Sequence, residues 1–129
     1  MDLNLNAITK EIIGAAISVY KELGPGLLEP AYEACLAYEL AERNLKMERQ
    51  KSLPIVDRGV QLDCGYRIDL LVEGQVLVEL KAVESIEPIH EAQLLSYLGL
   101  YKYQVGLLIN FNVKVLKNGI RGLLNKFEG

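Results

Sequence analysis

Asp69 ends a short β-like run, Tyr66-Arg67-Ile68-Asp69, and ten residues further on the chain reads Val78-Glu79-Leu80-Lys81. These residue types suit metal-dependent cleavage of a phosphodiester. Two carboxylates can hold a hard divalent cation such as Mg²⁺ or Mn²⁺. Residues two apart on a strand point to the same side, so Lys81 stands beside Glu79. The alternative is a surface hairpin on which Glu79 pairs with Lys81 or Arg67, with Asp69 near its end. Short patterns of this kind recur by chance.

The hairpin register decides between these readings. A two-residue turn at Glu73-Gly74 would pair Asp69 with Val78 and put the two acids on opposite faces. A three-residue loop, Glu73-Gly74-Gln75, pairs Val72 with Val76, Leu70 with Val78 and Ile68 with Leu80, which gathers six aliphatic residues on one face. The other face then carries Asp69 opposite Glu79, Arg67 opposite Lys81 and Leu71 opposite Leu77. A buried apolar face sets register, and a one-residue slip would mix the two sets. The apolar pattern thus favours the register that brings the acids together. Carboxylates placed opposite each other repel unless a cation or proton offsets them.

The elements around this hairpin follow from periodicity. Ile8, Ile12, Ala15, Val19 and Leu23 recur at helical spacing, predicting a helix over about Ala7–Leu23 that ends at Gly24-Pro25-Gly26. A second helix is expected over about Leu27–Arg43, with Leu28, Ala31, Cys35 and Leu36 on its apolar side. Beyond Asn44 the period falls to two: Lys46–Val56, Val60–Cys64, Tyr66–Val72 and Gln75–Ala82 read as strands. Pro88 opens a third helix that runs to about Tyr101. Val105–Asn110 is a continuous apolar run, as in a strand buried on both faces. Val113–Leu116 and Ile120–Leu124 flank Lys117-Asn118-Gly119 and suggest a closing hairpin. Helices, antiparallel strands, a helix and a strand make an α/β sandwich with a mixed sheet.

A chain of 129 residues is expected to form one domain with its own core. No run is long enough to span a membrane and the N-terminus has no signal-peptide pattern, so a cytoplasmic protein without a membrane partner is expected. Cys35 and Cys64 are too few for a disulfide framework and read as small filler residues. The net charge of −3 gives no global attraction to nucleic acid, but it is unevenly spread. The first 91 residues carry 16 acids against nine Lys and Arg, whereas residues 92–127 hold five cations (Lys102, Lys114, Lys117, Arg121 and Lys126) and no acid. A basic face that meets phosphates is one reading; a solvated rim is the plainer one.

Glu29, in Gly26-Leu27-Leu28-Glu29-Pro30-Ala31-Tyr32, suits the helix dipole as an acid of the first turn. His90, Gln93 and Tyr97 lie at i, i+3 and i+7 and share one helix face. A helix-start histidine is more often a solvated or capping residue than a ligand, and Tyr97 could equally serve as core. Taken in order, Gly26-x-x-Glu29-x-x-Tyr32, Tyr66-Arg67-x-Asp69, Val78-Glu79-Leu80-Lys81, His90-Glu91-x-Gln93-x-x-x-Tyr97 and Gly106-Leu107-Leu108-Ile109-Asn110-Phe111 resemble the GxxExxY family of small prokaryotic proteins. That family is placed in the PD-(D/E)XK nuclease superfamily. The match covers about residues 7–116 and is poor over the last dozen.

The resemblance implies a restriction-endonuclease-like three-layer α/β sandwich, its mixed central sheet flanked by helices. It assigns Asp69 and Glu79 as metal ligands and Lys81 as the residue that orients or activates the attacking water. Glu29 matches the acid on the first core helix that completes the metal shell, with the Leu80 carbonyl as a further ligand of Mg²⁺ or Mn²⁺. Gln93 and Tyr97 match residues that position the metal site and the nucleic-acid backbone, and His90 is placed with them on the substrate side. Ile68 stands where the superfamily's name has a proline. The implied function is hydrolysis of DNA or RNA, with a homodimer as the way a small chain cuts both strands. Two other readings stay open: a non-catalytic module that keeps the fold and binds nucleic acid or protein, and a plain interaction protein whose acids are surface charge.

Overall fold

The computed structural model describes residues 4–63 and 65–125. Helix α1 (Leu5–Leu23) starts at Asn4, whose side chain accepts the Ala7 N–H at 2.8 Å, and buries Ile8, Ile12, Ala15, Ala16 and Val19. This is an ordinary N-cap joined to an apolar stripe. Gly24 stops the helix, turning the chain at φ +65° while its N–H bonds the Tyr20 carbonyl. Helix α2 (Glu29–Glu42) begins two residues later than the sequence suggests, because Leu28 is its extended N-cap. Its inward face is Tyr32, Glu33, Leu36, Ala37 and Leu40. Leu28 and Cys35, expected on that face, are both exposed. Leu28 precedes the helix, and Cys35 lies off the stripe that the four-residue spacing of Tyr32, Leu36 and Leu40 defines.

The central sheet has the order β1 (Met47–Ser52), β4 (Arg67–Val72), β5 (Val76–Lys81), β6 (Val105–Asn110), β7 (Ile120–Leu124). Only β5 and β6 run parallel; the other neighbours are antiparallel. A parallel pair needs a crossover, and α3 (Pro88–Tyr101) supplies it. One core layer lies between the sheet and α1 and α2, with Leu70, Val72, Val76, Val78 and Leu80 on its sheet side. A second joins Leu71, Leu77 and Leu108 to Leu94 and Leu98 of α3. The result is the mixed-sheet α/β sandwich that the sequence implied. Among the described residues, no helix is long and apolar enough to cross a membrane.

Two expected elements differ. Lys46–Val56 is broken at Leu53-Pro54, where proline has no N–H for the ladder. Its second half, β2 (Ile55–Asp57), leaves the sheet to form a two-stranded ribbon with β3 (Val60–Leu62). The closing hairpin is replaced by a 3-10 turn at Leu116–Gly119 that leads into β7 on the edge of β6. Gly119 is packed so closely that a Cβ there would lie 2.2 Å from the Asn110 carbonyl oxygen, so this turn admits no side chain. Cys64, Lys126 and Phe127 lie outside the described residues.

The β4–β5 hairpin takes the three-residue loop, pairing Val72 with Val76, Leu71 with Leu77 and Leu70 with Val78. Glu73 and Gly74 form the turn at φ +54° and +64°. The pairing of Asp69 with Glu79, of Ile68 with Leu80 and of Arg67 with Lys81 does not follow. Beyond Leu70–Val78 the strands part: β4 stays with β1 as far as Arg67, and β5 stays with β6 as far as Lys81. Ile68 belongs to the α3-side core, whereas Leu70 and Leu80 face α1 and α2. Alternation along β4 is therefore broken at Asp69, and a reading that assumes period two places Ile68 on the wrong face.

The turn between α1 and α2 is held by Tyr32. Its hydroxyl donates to the Gly24 carbonyl at 2.6 Å and accepts the Leu27 N–H at 3.1 Å. Its ring stacks on Phe111 with centroids 4.3 Å apart. Tyr32→Phe keeps the stack and loses both hydrogen bonds. Urea unfolding of this variant is expected to show a loss of about 1–2 kcal/mol with an unchanged m-value.

Candidate active site at the β4–β5 fork

Where β4 and β5 separate, the two acids take over from the ladder. The Asp69 N–H donates to Glu79 Oε1 at 3.1 Å, and the Leu80 N–H donates to Asp69 Oδ2 at 2.7 Å. Each carboxylate thus caps an amide of the opposite strand, and the two charged groups are held side by side. Lys81 lies next along β5, opposite Asn110 of β6, and forms no ion pair among the described residues. Its charge stabilises the Glu79 anion.

A cleft of about 370 Å³ opens from Asp69 and Leu80 toward α2, lined also by Glu29, Pro30, Glu33 and Gln50. Glu29 is the first residue of α2 and is exposed. Its charge is felt by both Asp69 and Glu79. The Gly24–Leu28 turn that Tyr32 fastens therefore sets where Glu29 stands.

Sequence reasoning missed Glu33 and Gln50. Glu33 is buried and accepts two hydrogen bonds from the Arg49 guanidinium, at 3.2 and 3.0 Å. The Gln50 amide donates to Glu33 Oε1 and, at 3.0 Å, to Asp69 Oδ1. Gln50 has φ +50°, and its register place opposite Asp69 is the gap in an otherwise continuous β1–β4 ladder. A left-handed glutamine inside a strand carries strain of about 1–2 kcal/mol, and it coincides with the break in β4. No motif flags these residues. The available signal was an acid, Glu33, four positions after Glu29 on a face otherwise apolar.

On the other side of the fork stands α3. Tyr97 is half-buried; burial first, then the Glu79 charge, raise its pKa. Gln93 is exposed and lines a second cleft with Tyr97 and Tyr66. His90 acts as a helix cap: its Nδ1 accepts the Glu87 N–H at 3.0 Å in a capping box. Asp69, Glu79, Lys81, Glu29 and Tyr97 are thus gathered at the fork, whereas His90 is engaged at the start of α3. Of the C-terminal cations, Arg121 is paired with Glu91 at 3.2 Å.

The electrostatics of the pair are those of a site short of positive charge. Burial, followed by the Asp69 charge, pushes the Glu79 carboxyl up to about 7. Burial also raises Asp69, against the Leu80 and Gln50 hydrogen bonds that favour its anion. The donor set fits Mg²⁺ or Mn²⁺: all ligands are hard oxygens, and Mg²⁺ binds through one or two carboxylates while keeping waters. Among the described residues no three His, Cys, Asp or Glu side chains already stand in metal-holding geometry.

Glu79 makes stability depend on pH. Its folded value of about 7 exceeds the 4.5 of an unperturbed glutamate, so as pH rises the unfolded chain releases this proton first. The folded state then binds more protons, and stability falls with pH across that window by about 3 kcal/mol. Urea titrations in a chelator are expected to show this fall in the wild type. Glu79→Gln should remove most of it and be the more stable protein at pH 7.5.

The sequence matches no curated protein. The crystal structure of SSO0001 is similar at a TM-score of 0.40 and 17% identity, over 92% of this chain and 64% of that one. The chain thus spans less than two thirds of that protein's length. A family model described as the PD-(D/E)XK nuclease superfamily matches residues 6–123. With nearly its whole length matched, the chain belongs to the PD-(D/E)XK nuclease superfamily.

Proposed function

We propose that this protein is a metal-dependent nuclease that hydrolyses phosphodiester bonds of DNA or RNA at the β4–β5 fork. The observation that carries the reading is the meeting of the Asp69 and Glu79 carboxylates, each fixed by an amide of the other's strand, with Lys81 next along β5. The narrower assignment to the GxxExxY family belongs to the same proposal. Its supports are Tyr32, which pins the turn that begins at Gly24, and Glu29, which that turn delivers to the cleft.

Asp69 and Glu79 would hold Mg²⁺ or Mn²⁺, with Glu29 and the Leu80 carbonyl as further oxygen ligands. When bound, such a cation polarises the phosphate and lowers the pKa of a coordinated water. The protein's own groups do the rest. The amides of Asp69 and Leu80 fix the two carboxylates so that little reorganisation accompanies binding. Gln50 orients Asp69 from the side and is itself anchored on Glu33. Lys81, without an ion pair among the described residues, holds the water and offsets charge that grows on the phosphoryl oxygens. Tyr97 and Gln93 line the approach from α3, with His90 at the start of that helix. One domain would carry one such site, so cutting both strands requires a second copy of the chain.

A binding module without cleavage is favoured by one observation only, that no third acid or histidine stands in ligand geometry with the pair among the described residues. Cleavage assays separate the two. With Mn²⁺ present, the wild type is expected to cut single- or double-stranded DNA or RNA. Asp69→Ala and Glu79→Ala should be inactive, and Lys81→Ala slower by on the order of 10²-fold or more. Equal residual activity in all four proteins would point to a contaminant and sink the nuclease reading.

A further inference from the structure

The second cleft, of about 290 Å³, lies between α3 and the start of β4 and shares Tyr97 and Gln93 with the approach to the fork. Tyr66, Tyr97, Ile55, Ile89 and Leu100 form its walls, and the Gln93 side chain stands among them. The Tyr66 and Tyr97 rings are 5.9 Å apart and inclined at 55°, so they do not stack face to face. Tyr66 is 46% exposed, Ile89 60% and Leu100 58%, which leaves the wall open to a visitor. Tyr97 lines this cleft and also feels the Glu79 charge, so the cleft lies on the α3 side of the carboxylate pair.

We propose that this cleft holds an unpaired base of the strand whose phosphate lies at the fork, making the substrate single-stranded or locally unpaired nucleic acid. The inference rests on the nuclease reading and names its substrate class. Aromatic faces with apolar flanks and one amide suit a nucleobase, which offers a π-face for stacking and a polar edge for hydrogen bonding. Inside a duplex both faces of a base are covered, so an inclined tyrosine pair reaches only a base that has left the stack. Charge points the same way. Gripping a duplex relies on many Lys and Arg contacts to phosphates. This chain carries −3 overall, and among the described residues no Lys or Arg lines the cleft. The contribution of the cleft itself is then stacking on its aromatic side chains, alongside phosphate contacts made elsewhere on the strand.

The test is fluorescence anisotropy with labelled oligothymidylate and with a duplex of equal length, in Ca²⁺, beside a cleavage assay in Mn²⁺. The single strand is expected to bind at least about tenfold more tightly than the duplex. Tyr66→Ala should lose about tenfold of that binding, and Tyr66→Phe, which keeps the ring, should not. Duplex bound as tightly as the single strand, no effect of Tyr66→Ala, or no binding of either probe each overturns the inference. The nuclease reading stands or falls separately. Duplex cutting that Glu79→Ala abolishes and Tyr66→Ala leaves intact removes the base cleft and keeps the nuclease. Tyr66-dependent single-strand binding without Glu79-dependent cutting keeps the cleft and removes the nuclease.

Discussion

Everything at the candidate site depends on the parting of β4 from β5 beyond Leu70–Val78. A ladder that simply stopped would leave amides without partners at a half-buried position, at a cost comparable to a lost hydrogen bond each. Asp69 and Glu79 meet that need by each accepting an amide of the opposite strand. The same bonds hold two like charges together in a buried place, and burial first, then the Asp69 charge, raises the Glu79 carboxyl to about 7. Fold stability and cation affinity are thus opposed in one pair of side chains. The arrangement that a metal would relieve is the one the bare protein must tolerate, a familiar trade at functional sites.

The surrounding elements read as supports for that fork. The parallel β5–β6 ladder keeps β5 straight through Glu79 and Lys81 after β4 has left it. Gln50, left-handed at the gap in the β1–β4 ladder, brings its amide to Asp69, while Glu33 accepts from the same amide and from the Arg49 guanidinium. The Tyr32–Phe111 stack joins the start of α2 to the end of β6, and the Phe111 N–H bonds the Lys81 carbonyl at 2.9 Å. Glu29 and Lys81 are therefore tied to one aromatic pair from opposite directions.

Much of this was legible in the chain. The aliphatic residues of Val72, Val76, Leu70 and Val78 were enough to select the three-residue loop, and with it the meeting of Asp69 and Glu79. Gly24-Pro25-Gly26 marked the turn, though not the Tyr32 hydroxyl that fastens it. Legibility ended where regular alternation ended. Ile68 faces α3 because β4 twists at Asp69, and Gln50 adopts a positive φ that no residue type announces. Glu33 passed for one more acid on a helix until its partners across the sheet were known. Val113–Leu116 has strand-like composition, but close packing at Gly119 makes the segment end in a 3-10 turn instead. These are tertiary choices, made by neighbours distant in sequence, and local pattern does not carry them.

The most direct measurement of the central claim is Mn²⁺ binding by calorimetry at pH 7.5, comparing the wild type with Asp69→Asn and Glu79→Gln. If the carboxylates at the fork form one cation site, the wild type binds Mn²⁺ and each substitution abolishes binding, although Glu79→Gln folds at least as well. Undiminished Mn²⁺ binding in both variants, or none in the wild type even with a non-cleavable oligonucleotide present, would contradict it.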